Sequence, residues 1–138
     1  MEITGIALQT VSAGEDVAFT ETPVCGTKCI VHRQGSGIIK LRGITNQCKA
    51  RFLVSYSGNI QIPTGGTVEA ISLAIAVDEE PLQSTRMIVT PAAQNLQNIS
   101  SQAYIDVPCG CCSTVAVQNT STQAIEVQNS NLIVTRQA

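Results

Sequence analysis

The heptapeptide Ile71-Ser72-Leu73-Ala74-Ile75-Ala76-Val77 decides the class of fold. Branched aliphatic residues occupy 71, 73, 75 and 77 and small residues occupy 72, 74 and 76, the period of two that belongs to a β-strand. Ile71, Leu73, Ile75 and Val77 are expected to face a core. The opposite face would carry Lys, Glu or Thr if water touched it, yet Ser72, Ala74 and Ala76 bear no charge, and none appears until Asp78. That predicts a close-packed neighbour. The expectation carried forward is an interface with another copy of the chain at Ser72, Ala74 and Ala76, with cover by a loop of the same chain as the alternative.

Outward from this strand, almost every window alternates in the same way, and none sustains the i, i+3, i+4 spacing of an amphipathic helix over two turns. About ten strands are read: 3–9, 16–20, 29–33, 37–42, 50–55, 58–62, 67–77, 86–90, 102–107 and 113–118, with a closing pair at 124–128 and 131–136, some of which are expected to merge. Short turns such as Ser12-Ala13-Gly14, Ser57-Gly58-Asn59, Pro63-Thr64-Gly65-Gly66 and Asn129-Ser130-Asn131 separate them. Only Pro91-Ala92-Ala93-Gln94-Asn95-Leu96 has room for a helical turn. Many short, evenly spaced strands predict an all-β sandwich or barrel.

The 138 residues suit one domain over the whole length, 1–138, large enough to bury a core without covalent staples. Charged residues make up 13% and the formal net charge is -2, so no basic surface is offered to nucleic acid. No run approaches the roughly 20 apolar residues of a membrane span. The opening Met1-Glu2-Ile3-Thr4-Gly5-Ile6 has neither a positive leader nor an apolar h-region, and the expectation is a chain with no signal peptide and no membrane partner.

From about residue 50 to the end, the order of pieces resembles the C1q/TNF-like jelly rolls, especially the domain that ends the collagen-like surface glycoproteins of Bacillus spores. Phe52-Leu53-Val54-Ser55-Tyr56 resembles the family's strand with a closing Ser-Tyr. Leu73-Ala74-Ile75-Ala76-Val77-Asp78-Glu79-Glu80-Pro81-Leu82 resembles its long strand running into a proline turn. Residues 103–107 followed by Thr114-Val115-Ala116-Val117-Gln118-Asn119 resemble its penultimate pair, and Leu132-Ile133-Val134-Thr135-Arg136 its final strand. The resemblance implies a two-sheet, trimer-forming jelly roll. Without a Gly-X-Y stem, the chain is expected to be a phage or prophage virion component, a capsid decoration or fibre head. Its loops would face outward, its partners would be itself and a major capsid or other virion protein, and it would reside on the virion or a cell surface. The alternative is a bacterial surface module that binds a receptor or glycan. Fold by itself assigns neither.

Six cysteines fall in two groups, Cys25 and Cys29 with Cys48, and Cys109, Cys111 and Cys112. Three readings stand open: disulfides formed outside a reducing cell, buried thiols, or a zinc site using Cys25, Cys29, His32, Cys109, Cys111 and Cys112. The zinc spacing departs from the usual knuckle pairs. The expected bridges join Cys25 or Cys29 to Cys48, and one of Cys109, Cys111 and Cys112 to the first group. A bridge between the adjacent Cys111 and Cys112 would need a strained ring.

His32 is the only histidine, and no neighbouring motif supplies the orienting acid or oxyanion site that a cysteine nucleophile would need. Asp78, Glu79 and Glu80 read as a solvated acidic turn, with a calcium site as the alternative. The glycine pairs lack the following helix that makes an anion site. An enzyme with a bound cofactor is therefore not expected, and an assembling or binding protein is.

Overall fold

The computed structural model describes residues 1–25, 28–92 and 95–138. Two residues of the 91–96 segment read as a possible helical turn, Ala93 and Gln94, lie outside that description.

Twelve strands follow in chain order: β1 (Glu2–Gly5), β2 (Gln9–Val11), β3 (Glu21–Val24), β4 (Ile30–His32), β5 (Ile39–Arg42), β6 (Lys49–Gln61), β7 (Ile71–Val77), β8 (Glu80–Pro81), β9 (Met87–Val89), β10 (Gln97–Pro108), β11 (Cys112–Asn119) and β12 (Ile125–Arg136). A 3-10 turn, Gln83–Thr85, precedes β9. The first sheet has the order β10-β6-β12-β1-β3, with β2 also on β12. The second has the order β4-β5-β11-β7-β8, with β9 also on β7. Every pairing is antiparallel. Consecutive strands repeatedly cross between sheets, as the jelly-roll expectation requires.

Period two does the sorting. Along β6, Ala50, Phe52, Val54, Tyr56 and Ile60 turn inward and are buried, while Arg51, Leu53, Ser55, Ser57 and Asn59 turn outward. Ile71, Leu73 and Ile75 of β7 meet them from the second sheet, with Val115 and Val117 of β11. Phe19, from the loop after β2, stacks edge-on against Tyr56 at 6.5 Å. Each fully buried aliphatic or aromatic side chain contributes about 1.5–3 kcal/mol over the exposed state, so the double layer, not any single bond, holds the sandwich.

Several sequence boundaries move. Strands read at 50–55 and 58–62 are one, because Ser57-Gly58-Asn59 is not a turn: β10 hydrogen-bonds to β6 on one edge and β12 on the other through this stretch. Gly58 serves close approach instead, since a Cβ there would stand 2.6 Å from the Tyr56 hydroxyl. The closing pair is likewise one strand, β12, carrying an irregularity between Gln128 and Asn131 where Asn129 takes a positive φ of 57°. Residues 16–20 form only an isolated bridge, Asp16 to Gln118. Ala18 gives its N–H to the Gln9 side-chain oxygen and accepts from the Gln9 amide, so a glutamine stands in for a neighbouring strand. Only 71–77 of the 67–77 reading is strand.

Buried polar groups close the interior. Asn119 donates to the carbonyls of Val11 and Gln123 and accepts from the Ser121 N–H. Tyr56 shares a buried hydrogen bond with Ser130 at 2.9 Å. Burial pushes the Tyr56 phenol up to about 12, against which the Ser130 bond acts in the opposite sense. Because the folded value lies above the ordinary 10.0, this stabilisation is whole below pH 10 and is lost as pH rises toward 12. Tyr56→Phe should lower stability near neutral pH by about 1–2 kcal/mol, by orphaning the Ser130 hydroxyl. Urea midpoints measured at rising alkaline pH should show the gap between wild type and variant shrinking through this window; a constant gap would contradict the assignment.

Candidate functional site

The small-residue face of β7 is covered by its own chain. Ser72, Ala74 and Ala76 are each about 1% exposed in the lone chain. The Ser72 N–H donates to the Ser121 hydroxyl at 2.7 Å, the Ser72 hydroxyl bonds Thr120, and Arg86 Nε donates to it at 3.2 Å. Ala76 lies between Ala116 of β11 and Pro81 of β8. The expectation that these three residues touch another copy is thereby corrected. The loop alternative holds at Ser72, where the 119–122 turn closes over it, while Ala76 is flanked in the sheet by β11 and β8.

Beside this strand, on the same outer side of the second sheet, lies a polar cleft of about 360 Å³ bounded by Asp16, Ile38, Glu79, Thr114, Ala116 and Gln118. The Gln118 amide donates to the Gly14 carbonyl, while its side-chain oxygen is buried without a partner. Asp16, half-buried, has its carboxyl raised above 3.8, first by desolvation and then by Glu15 and Glu79. Asp78 and Glu79 hold positive φ values of 51° and 71°, a two-residue hairpin turn between β7 and β8. The Asp78 carboxylate accepts the Thr114 N–H at 2.9 Å. The cleft presents carboxylates, a hydroxyl and an amide that can hydrogen-bond a polar ligand. Neither Asp16 nor Gln118 carried a sequence signal, since both depend on the bridge between 16 and 118.

Of the remaining sequence candidates, Cys29, Cys48, Cys109, Cys111 and Cys112 lie around the 43–47 loop, at the end of the sandwich where the chain terminates. Cys109 donates its N–H to the Cys48 carbonyl, and its thiol lies 3.2 Å from the Thr45 carbonyl. Cys111 accepts the Gly43 N–H, and Cys112 faces Arg42 in register. Cys29 accepts the Arg42 N–H through its carbonyl, and its sulfur receives Arg136 Nη1 at 3.0 Å. Arg136, which the sequence did not single out, also donates to the Ile44 carbonyl. No two cysteines are bonded to each other. Among the described residues, no three Cys, His, Asp or Glu side chains come together as metal ligands. His32 Nε2 bonds the Ser36 carbonyl at 2.8 Å, and the ring lies edge-on to Phe19, so the imidazole is engaged within the sandwich rather than with the thiols. Strand β3, which leads into Cys25, lies three strands from β6, about 14 Å at the usual spacing. That separation exceeds the reach of the expected bridge from Cys25 to Cys48.

One broad face stays uncovered in the single chain. The outer side of the first sheet carries Tyr104, Leu53 and Thr135 in one cross-strand row and Gln102, Ser55 and Ile133 in the next. Tyr104 is 65% exposed, Val24 53% and Ile133 42%. Charge on this face is paired within the chain: Lys49 and Arg51 pair with Asp106 at 3.0 and 2.8 Å, Arg51 lies 6.0 Å from the Tyr104 ring, and Glu2, opposite both Ile133 and Val24, accepts from Asn131. The Asp106 carboxyl is held well below the usual carboxylate range by its hydrogen bonds to Arg51 and Lys49.

No family model matches the sequence, and no curated protein matches it either. Solved structures do match in fold. The globular domain of zebrafish complement 1qA protein aligns over 96% of this chain and 93% of its own, with a TM-score of 0.65 and 8% identity. Murine APRIL, solved at pH 5.0, aligns over 95% and 96%, with a TM-score of 0.59 and 10% identity. Among the described residues, no helix is long and apolar enough to cross a membrane. Two antiparallel sheets in this strand order, matched along nearly the whole chain at such low identity, give the protein the C1q/TNF-like jelly-roll fold.

Proposed function

We propose that this protein is a non-enzymatic assembly module, a homotrimer of single jelly-roll domains spanning 1–138. The observation that carries the reading is the exposed apolar groups on the outer face of the first sheet, where Tyr104, Leu53 and Ile133 stand among Ser, Thr, Asn and Gln. A closed symmetric assembly sets the same face of each copy around one axis, so a charged face would meet its own charge. Here the charges are matched within each copy, Arg51 by Asp106 and Glu2 by the Asn131 amide, and the exposed aromatic and aliphatic groups gain by leaving water. The setting we favour is a phage or prophage virion, as a capsid decoration or fibre head seated on a capsid or other virion protein, with loops outward. That setting rests on the order of strand motifs in the sequence. A second reading, a surface module for a glycan or receptor, is favoured by the polar cleft with the unpartnered oxygen of Gln118.

Light scattering at micromolar concentration should give three times the chain mass. Ile133→Arg should yield folded monomers, because the side chain points away from the core and its loss costs the subunit little. A wild-type monomer, or a trimer indifferent to the substitution, would defeat the assembly reading. For the second reading, Gln118→Ala should abolish binding of a panel oligosaccharide while leaving the mass unchanged; wild-type protein that binds no sugar of the panel would leave the cleft without that role.

A further inference from the structure

Cys48 and Cys109 close the open end of the longest strand pair. The last ladder rung joins Lys49 to Pro108, and one residue further the Cys109 N–H donates to the Cys48 carbonyl at 2.9 Å. Directly opposed residues joined in this way stand about 5.5 Å apart between Cα atoms, inside the roughly 4.4–6.8 Å that a disulfide spans. Inward residues of β6 are even-numbered from Ala50, and those of β10 are Ile105 and Val107. Continued by one step, the alternation carries both cysteines to the same side. The Cys109 thiol already lies against Thr45, on the loop that leads into Cys48. Both residues are exposed, so a reagent can reach them. The other row of cysteines is unsuited: Cys29 and Cys112 flank Arg42 on opposite sides, two strand spacings or about 10 Å apart.

We propose that Cys48 and Cys109 form a cross-strand disulfide when the protein meets a low-molecular-weight disulfide. The thiolate of one attacks a sulfur of the small disulfide, breaking its S–S bond, forming a mixed disulfide and releasing one small thiolate. The second cysteine, after giving its proton to water, attacks the protein sulfur of that mixed disulfide. The protein S–S bond forms, the second small thiolate leaves, and both small thiolates take up protons. Two protein thiols are oxidised as one small disulfide is reduced to two thiols. The bridge ties the 43–47 loop, where the chain passes from β5 to β6, to the turn where it passes from β10 to β11. These crossings already touch, with the Gly43 N–H on the Cys111 carbonyl and the Gly110 N–H on the Gly43 carbonyl. The device is an oxidation-dependent clamp on the end of the sandwich that holds the two chain crossings.

The test equilibrates the intact protein with oxidised and reduced glutathione at graded ratios, alkylates residual thiols, and maps peptides by mass. The first bridge to form should join Cys48 to Cys109 with loss of two hydrogens, and the melting midpoint should rise by several degrees. Cys48→Ser should lose that bridge and retain one glutathione on Cys109. Bridges that form first elsewhere, with Cys48 and Cys109 still alkylated, would overturn the proposal, as would a bridge at these residues that leaves the melting midpoint unmoved. The wild-type map decides the pairing even if the variant fails to fold.

Discussion

The structure depends on the thirteen-residue strand β6 being hydrogen-bonded along both edges, to β10 and to β12. A strand so paired cannot bend away at Gly58, so its six inward positions form one unbroken row against the second sheet. The row contains Phe52 and Tyr56 and meets Phe19, so three of the chain's four aromatic rings sit together in the centre. In a chain so poor in aromatics, Val, Ile and Leu supply most of the remaining buried core. The outward positions of the same strands then have no choice of location. They become the broad face of the first sheet, where Tyr104 and Ile133 stand exposed in the single chain.

The fold was legible because it lives in period two, the signal that survives in a single sequence. The inward sets 71, 73, 75 and 50, 52, 54, 56 were readable from residue type alone, and so was the class they imply. Turn chemistry misled at Ser57-Gly58-Asn59 and Asn129-Ser130-Asn131, where glycine and asparagine serve close approach and a bulge. Hydrogen bonds to strands distant in sequence outweighed local turn preference at both places. Strand β3 escaped notice for the opposite reason: Glu21-Thr22-Pro23-Val24 has no apolar alternation, and its proline is tolerated because the strand lies at a sheet edge.

The candidate site was legible in kind but misplaced. A small uncharged face correctly signals a close neighbour, yet residue type does not say whose backbone it is. At Ser72 the neighbours are Thr120, Ser121 and Arg86, roughly fifty and fourteen residues away in the same chain, and no local pattern announces them. The exposed apolar patch on the outer face of the first sheet was hidden because its members come from strands separated by tens of residues. Individually, Leu53, Tyr104 and Ile133 look like ordinary strand positions, and only the register makes them one surface. The cysteines follow the same rule, since the opposition of Cys48 and Cys109 is a property of strand pairing rather than of spacing.

The central claim is that the outer face of the first sheet is buried between copies of the chain, and the two tyrosines report on it directly. Tyr56 is buried in the core of each subunit, whereas Tyr104 is 65% exposed in a single chain. Hydroxyl-radical footprinting of the native protein at micromolar concentration should find Tyr104 oxidised about as slowly as Tyr56, and faster on dilution. Oxidation of Tyr104 at the rate of a solvent-exposed tyrosine at every concentration would contradict the account.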